Sequence, residues 1–154
     1  MSLKKNDTLC VLTEHLSPEG HGVARSRGMV VFVPGALPGE NWQVKLIKVT
    51  AKYAVARREK RMSRASELRV PPPCPVFGRC GGCQLQHMAY TGQLRLKEKM
   101  VADCLTRIGG EKEPKVLPAL GMETPWRYRN KGLFPVAQAE AGLCCGLYAA
   151  KSHR

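Results

Sequence analysis

Alternating apolar and polar residues fill the first third of the chain and predict short β-strands. Glycine and proline separate the alternating runs as turns require, and the runs cover residues 10–13, 28–33, 41–49 and 53–58. In the third run the alternation places Trp42, Val44 and Leu46 on one face, which is typical of a half-buried strand. This pattern assigns Trp42 to the core rather than to a base-stacking surface, and the four runs predict a small antiparallel barrel or sandwich.

Residues 91–108 have the period of an amphipathic helix. Gly109 and Gly110 follow the stretch and supply a C-terminal stop. We expect its apolar positions to be buried; they are Leu94, Met100, Val101, Cys104, Leu105 and Ile108. Cys104 is therefore predicted to be a buried thiol and not a metal ligand, whereas Lys97 is predicted to face outward.

The last part of the chain contains two strand-like runs, residues 126–136 and 142–148, on either side of a turn at residues 138–142. This pattern predicts a β-hairpin. If the first run is a regular strand, one of its faces is cationic and carries Arg127, Arg129 and Lys131.

The order of these elements predicts a mainly β chain with one helix. Residues 1–66 are expected to form a small OB-like β-barrel, and residues 67–112 a cysteine-rich loop followed by the helix. Residues 113–154 are expected to begin a further β-rich, RNA-binding domain that is cut short.

The composition is strongly basic, with 25 Lys and Arg against 12 Asp and Glu and a formal net charge of +13. Such an excess favours a polyanionic partner, and RNA is the first candidate because small barrels commonly bind oligonucleotides. A merely solvated basic surface is the alternative. The candidate RNA contacts of the barrel are Lys45, Lys48, Lys52, Arg57, Arg58, Lys60 and Arg61, and those of the hairpin are Arg127, Arg129 and Lys131.

The N-terminus lacks the apolar core and cleavage site of a signal peptide, and no run approaches membrane-spanning length. We therefore expect a cytoplasmic, monomeric protein with no membrane partner. In that reducing compartment, the odd number of cysteines, seven, favours thiolate ligands and ordinary thiols over a disulfide framework.

Three of the cysteines, Cys74, Cys80 and Cys83, lie in one short loop with the spacing C-x5-C-x2-C. That spacing is close to the C-x4-C-x2-C run of plant-type iron–sulfur sites, whose last thiolate comes from far along the chain. Gly81 and Gly82 let the backbone bend sharply and leave their amides free to point at sulfur. The loop is therefore predicted to bind metal through three thiolates; a cysteine-rich turn without metal is the alternative.

A zinc site is a second possibility, because His87 follows the last of these cysteines as C-x3-H. Cys74, Cys80, Cys83 and His87 would satisfy tetrahedral zinc without any distant residue. The chain would then be a zinc-stabilised RNA-binding module without enzymatic activity.

Several motifs carry a family resemblance. The segments EGHGVA at residues 19–24 and VPGALPGE at residues 33–40 resemble a TRAM domain, the small β-barrel attached to RNA-modifying enzymes. With CPVFGRCGGCQLQHMAY at residues 74–90 and YRNK at residues 128–131, the chain resembles bacterial RNA uracil-5-methyltransferases that carry a 4Fe-4S cluster. The segments follow the family's order and cover essentially the whole chain.

The resemblance implies that Cys74, Cys80 and Cys83 hold a 4Fe-4S cluster whose fourth cysteine lies shortly beyond Arg154. A substitute ligand from Cys144 or Cys145 stays open. The combination of TRAM domain and cluster implies the branch of the family that methylates 23S ribosomal RNA, which forms 5-methyluridine.

The family's enzymes attack uracil C6 with a cysteine thiolate and transfer a methyl group from S-adenosylmethionine to C5. The chain contains no glycine-rich S-adenosylmethionine turn, and no cysteine at the family's nucleophile position. We therefore expect no catalytic residue and no S-adenosylmethionine site here, and a recognition part that is inactive alone. Radical S-adenosylmethionine enzymes with TRAM domains are a further class, but their C-x3-C-x2-C loop has a shorter first gap.

Overall fold

The computed structural model describes residues 2–140, 142–150 and 152. A six-stranded sheet is followed by one helix and a two-stranded hairpin, which confirms a mainly β chain with one helix. The sheet strands are β1 Thr8–Leu12, β2 His15–Leu16, β3 His21–Ser26, β4 Met29–Pro34, β5 Asn41–Val49 and β6 Tyr53–Arg61. The helix and hairpin strands are α1 Tyr90–Arg107, β7 Val136–Ala139 and β8 Gly142–Cys145.

The six strands are arranged in the order β1-β5-β6-β4-β3-β2, and the sheet curls so that β1 contacts β3. Neighbouring strands are antiparallel except β4 and β6, which pair in parallel. The sequence pattern did not predict β2 and β3. Strand β3 buries three successive small residues, Gly22, Val23 and Ala24, so it lacks the alternation by which strands were recognised.

The connection between β3 and β4 is a two-residue turn. Arg27 and Gly28 have φ values of 50° and 78° and join the paired residues Ser26 and Met29. Positive φ at both central positions is the requirement of the type I′ turn, whose twist matches that of the flanking strands.

The main core fills the inside of the curled sheet. Alternating positions of β5 and β6 supply Val44, Leu46, Ala54 and Ala56, each at most 1% exposed, which confirms the alternation read from the sequence. Trp42 is partly buried and packs against this cluster, as predicted.

A second, smaller core joins the barrel to the helix. Leu16 and Leu37 of the barrel pack with Met88, which lies two residues before α1, and with Leu96 inside the helix. The helix extends over the residues that the sequence predicted to within one residue at each end. Within the described residues, no helix has the length and apolar character that crossing a membrane requires.

The burial predicted for the second half of α1 is wrong. Val101 and Leu105 are 51% and 40% exposed, and Ile108 beyond the helix is 85% exposed. Cys104 is exposed as well, not buried. These side chains remain largely open to solvent, so the apolar period marks a side of the helix but not a packed surface.

The predicted hairpin forms, but its strands are shorter than predicted. Residues 126–135 have no regular strand, and pairing begins only at β7. Arg127 has a φ of 59°, which interrupts any extended run. The expected strand face carrying Arg127, Arg129 and Lys131 is therefore not formed, although all three residues are exposed.

Candidate nucleic-acid interface and cysteine loop

The outer face of β1, β5 and β6 carries part of the predicted cationic surface. Because Val44 and Leu46 point into the core, Gln43 and Lys45 point away from it. Strand pairing places Lys45 directly between Thr8 of β1 and Arg57 of β6. We call Thr8, Cys10, Gln43, Lys45, Arg57 and Lys60 the outer face.

Two cations face each other on this surface without an acidic partner. Lys45 and Arg57 are direct cross-strand neighbours, and like charges at such positions repel. Among residues 2–140, 142–150 and 152, ion pairs form at Arg61–Glu40, Arg69–Glu40 and Lys99–Asp103, and none of them involves the outer face. The positive charge of the outer face is therefore not neutralised by an acidic side chain, and an anion can bind there.

Two other predicted RNA contacts, Arg58 and Arg61, lie against Trp42. Their guanidinium carbons are 5.0 Å and 5.7 Å from the centre of a Trp42 ring. Arg58 also donates an Nη1 hydrogen bond to the Gly35 carbonyl at 2.9 Å. A Cβ on Gly35 would lie 2.6 Å from Arg58 Nη2. The φ of Gly35 is 75°, in the left-handed region that favours glycine, so glycine is the residue that accommodates this contact.

Glu40, which the sequence did not single out, is fully buried beneath these arginines. Its carboxylate accepts a 2.7 Å hydrogen bond from Arg69 Nη2 and bonds from the Leu37 amide and the Trp42 indole. Burial alone would raise the pKa of Glu40, but the hydrogen bonds from Arg69, the Leu37 amide and Trp42 lower it to about 2. Glu40 is therefore ionised and ties three segments together.

The remaining predicted cations are more loosely placed. Lys48 Nζ lies 5.8 Å from the centre of the Tyr53 ring, and Lys52 is exposed after β5. The Arg129 guanidinium lies 5.8 Å from the Tyr128 ring. The predicted RNA contacts therefore do not form one stripe. They lie in three places: on the outer face, against the Trp42 ring and in the segment before the hairpin.

The cysteine loop is held by backbone hydrogen bonds between successive turns. The Phe77 amide donates to the Cys74 carbonyl at 3.1 Å, and the Cys80 amide donates to the Val76 carbonyl at 3.0 Å. The Gly82 amide donates to Cys80 Sγ at 3.4 Å, so one of the two glycine amides of the loop points at sulfur. Cys74 and Cys80 are half-buried, Cys83 is exposed, and none of the three is in a disulfide.

The chain after β8 packs against this loop. The Gly81 amide donates to the Tyr148 carbonyl at 2.9 Å, and the Ala150 amide donates to the Arg79 carbonyl at 2.9 Å. Cys80 and Ala149 form an antiparallel bridge. A cavity of about 500 Å³ lies between the loop, this segment and the barrel, and both Cys80 and Cys83 line it.

His87 is 4% exposed, and its ring lies 5.4 Å from that of Phe77. Burial, reinforced by the positive charges of Arg69 and Arg58, lowers its pKa to about 4. Neither ring nitrogen has a hydrogen-bond partner among the described residues. His87 is thus a buried, neutral ring that packs against Phe77 of the cysteine loop.

The three thiols of the loop are donors that both zinc and an iron–sulfur cluster accept. Zinc needs all its ligands within about 2.3 Å of one point, and no three His, Cys, Asp or Glu of the described residues converge in that way. Each thiolate of a four-iron cluster binds a different iron, so its ligands are more widely spaced. Three free thiols, an amide directed at sulfur and an adjoining cavity are compatible with that arrangement.

The barrel matches a known domain family. Residues 3–57 match the TRAM domain. The TRAM domain therefore covers β1 to β5 and the first half of β6, including Lys45 and Arg57 of the outer face.

Curated relatives extend the similarity to nearly the whole chain. A Halalkalibacterium halodurans protein named as an uncharacterized RNA methyltransferase is 49% identical over 152 residues, which is 99% of this chain and 33% of that protein. Proteins with the same description from Bacillus cereus and Listeria monocytogenes are 45% and 43% identical, over 98% of this chain and 33% of each relative. The chain spans about a third of the length of these relatives.

A solved structure is also similar to part of the chain. The solution structure of a conserved protein from Methanococcus maripaludis is 36% identical, with a TM-score of 0.36, and covers 38% of this chain and 83% of that one.

The sequence identified the cations of the TRAM domain but not the ion pair between Glu40 and Arg69 that lies beneath them. Glu40 and Arg69 are separated by 29 positions, and no periodic pattern relates them. The available signal was a carboxylate inside the segment VPGALPGE, whose neighbours Leu37 and Ala36 are fully buried.

Proposed function

We propose that this chain is the RNA-recognition part of an RNA uracil-5-methyltransferase that acts on 23S ribosomal RNA. The observation that carries the proposal is that Lys45 and Arg57 are neighbours on the outer face of a TRAM domain and have no acidic partner there. Relatives named as RNA methyltransferases support the enzyme class. The uracil-5 specificity rests on the resemblance of residues 74–90 and 128–131 to that family, and the ribosomal substrate rests on the combination of a TRAM domain with the cluster loop.

The function of the outer face follows from its charge. Lys45 and Arg57 repel each other when the surface is empty, and a phosphate between them removes that repulsion. Phosphate contacts of this kind fix the position and orientation of RNA without reading its sequence. Methyl transfer from S-adenosylmethionine would belong to the part of the relatives that this chain does not span.

We further propose that Cys74, Cys80 and Cys83 hold a 4Fe-4S cluster, with a fourth cysteine beyond residue 154. A cluster ligated by four protein thiolates has no free iron for substrate, so its contribution would be structural. The chain's own residues orient the site: the Gly82 amide supports Cys80 Sγ, and the segment containing Tyr148 and Ala150 is fixed to the loop.

The RNA proposal predicts a salt dependence that the outer face controls. In a plot of log affinity against log salt for single-stranded RNA, each phosphate contact contributes a slope of about 0.7. We expect the double variant Lys45→Ala/Arg57→Ala to bind more weakly and to reduce the slope by about 1.4. Lys97→Ala/Lys112→Ala removes the same charge from exposed positions outside the TRAM domain and is the control. Equal slopes for both double variants would contradict the proposal.

The cluster proposal predicts metal content that depends on Cys80 and not on other thiols. We expect full-length protein prepared without oxygen to be brown and to contain iron and sulfide, and Cys80→Ser to lose both. Cys104→Ser changes an exposed thiol outside the loop and should retain the parent's iron. A colourless protein that contains zinc would rule out the cluster and favour the Cys3His alternative.

A further inference from the structure

An open cavity of about 400 Å³ lies beside the outer face, between the end of β4 and strands β5 and β6. Its apolar walls are Pro34, Trp42, Ile47 and Ala56, and its charged residues are Arg57, Arg58 and Glu59. Ile47 is 43% exposed, so part of the apolar wall is covered only by solvent. The cavity combines apolar surface with cations that a phosphate chain can reach.

Arg58 gives this cavity a flat, fixed surface. Its guanidinium lies 5.0 Å from the Trp42 ring centre and donates to the Gly35 carbonyl at 2.9 Å. The Trp42 indole is itself held by a 2.9 Å bond to Glu40. Unpaired bases of RNA stack on guanidinium planes as they do on aromatic rings, and a plane fixed in advance loses little entropy when a base binds.

The charges of the cavity favour a base inside it and phosphates outside. Glu59 also lines the cavity. Its negative charge repels a phosphate, but a carboxylate can accept a hydrogen bond from an amino or imino group of a base. Arg57 lies at the junction of the cavity and the outer face, opposite Lys45. A strand whose phosphates contact these two cations would carry its base toward the Arg58 plane.

We propose that this cavity binds one unpaired base of single-stranded RNA, stacked on Arg58 between Pro34 and Ile47. The proposal rests on the RNA-binding function inferred above and adds a requirement to it, because a base inside a duplex is already stacked and paired. The TRAM domain would therefore select unpaired RNA, and not only a polyanion.

Trp42 provides a direct readout. The chain has two tryptophans, so Trp126→Phe, a change at an exposed position, leaves Trp42 as the only one. In this background we expect a single-stranded oligonucleotide to change Trp42 fluorescence. We also expect it to bind about tenfold more tightly than the same strand in a duplex, since stacking of one base contributes roughly that factor.

Arg58→Lys separates stacking from charge, because lysine keeps the positive charge but has no plane. We expect this variant to lose the fluorescence change and the preference for single strands, and to keep the salt slope. Ile47→Asp should weaken single-strand binding about tenfold. Val101→Asp makes the same kind of change at an exposed apolar site on α1 and should have no effect.

The two proposals fail in different ways. RNA binding with no Trp42 signal, with equal affinity for duplex and single strand, or with an unchanged preference in Arg58→Lys would overturn the base site and leave the RNA-binding function intact. The absence of salt-dependent RNA binding altogether would overturn the proposed function and the base site with it.

Discussion

Glu40 is a fully buried carboxylate whose oxygens all have partners. Arg69 approaches it with both Nε and Nη2, and the side chain of Arg69 is itself only 18% exposed. Such a pair contributes little net stability when intact, but removing one partner leaves an uncompensated charge in a poorly solvated position. The role of Glu40 is therefore to fix the turn before β5 and the linker after β6 in one arrangement.

Replacing Glu40 by glutamine should strongly destabilise the barrel. We expect Glu40→Gln to lower the free energy of unfolding by about 3 kcal/mol, because Arg69 is left buried without its counter-ion. Denaturant unfolding followed by circular dichroism measures the loss. Glu67→Gln removes an equal charge from an exposed position and should change the stability by less than about 0.5 kcal/mol.

The effect of Glu40→Gln has a defined pH dependence. The folded-state pKa of Glu40, about 2, lies below the ordinary value of 4.5. A lowered carboxyl pKa stabilises the fold fully above the unfolded value and loses that contribution as the pH falls through the folded value. The stability difference between parent and variant should thus be constant above pH 4.5 and shrink toward pH 2; a difference that grows on acidification would contradict this assignment.

Arg57 and Arg58 are adjacent arginines whose positions the sequence could not distinguish. The sequence identified Arg57 and Arg58 alike as cations near the end of a strand. Strand pairing places Arg57 opposite Lys45 and Arg58 opposite Val44, on the two faces of β6, and a register shift between Gln43 and Val44 brings Lys60 rather than Glu59 opposite Gln43. Such bulges depend on the partner strand, which a single run of sequence does not specify.

At the scale of elements, β4, β5, β6 and α1 were predictable because their apolar periods extend over several residues. Strand β3 was not predictable, since it is a run of small buried residues that packs closely on the turn before β5. The exposed apolar side of α1 has a related cause: the period of a helix shows which side is apolar, but what covers that side depends on other elements.

The close packing of β3 can be tested at one glycine. A Cβ on Gly22 would lie 2.7 Å from Thr13 Cγ2, 2.9 Å from Ala36 Cβ and 3.0 Å from the Ala36 carbonyl oxygen. We expect Gly22→Ala to cost about 1–3 kcal/mol of unfolding free energy, because the surrounding backbone must move. Thermal unfolding measures the cost.

Gly146→Ala is the matched control, since a Cβ at Gly146 meets no atom within 4 Å. It should leave the melting temperature of the parent unchanged. If Gly22→Ala unfolds at the same temperature as Gly146→Ala, then β3 does not pack on the turn in the way described.

At the scale of the whole molecule, the sequence predicted the order of barrel, cysteine loop, helix and hairpin, but not their contacts. The loop contacts the barrel at Gly20, where a Cβ would lie 2.9 Å from Leu85 Cδ2. The loop also contacts the segment from Leu147 to Ala150. These contacts join residues more than 60 positions apart, and a motif spanning 17 residues carries no information about them.

The ion pair between Glu40 and Arg69 determines which segment of the chain can be transferred to another protein as an intact barrel. The similarity to the TRAM domain ends at residue 57, but the counter-ion of its buried carboxylate lies 12 positions later at Arg69. A gene fusion that carried only the region of similarity would transfer an acidic side chain without the cation that neutralises it. The unit that can move intact between proteins therefore includes the linker through Arg69, and its natural boundary is the start of the proline run before the cysteines.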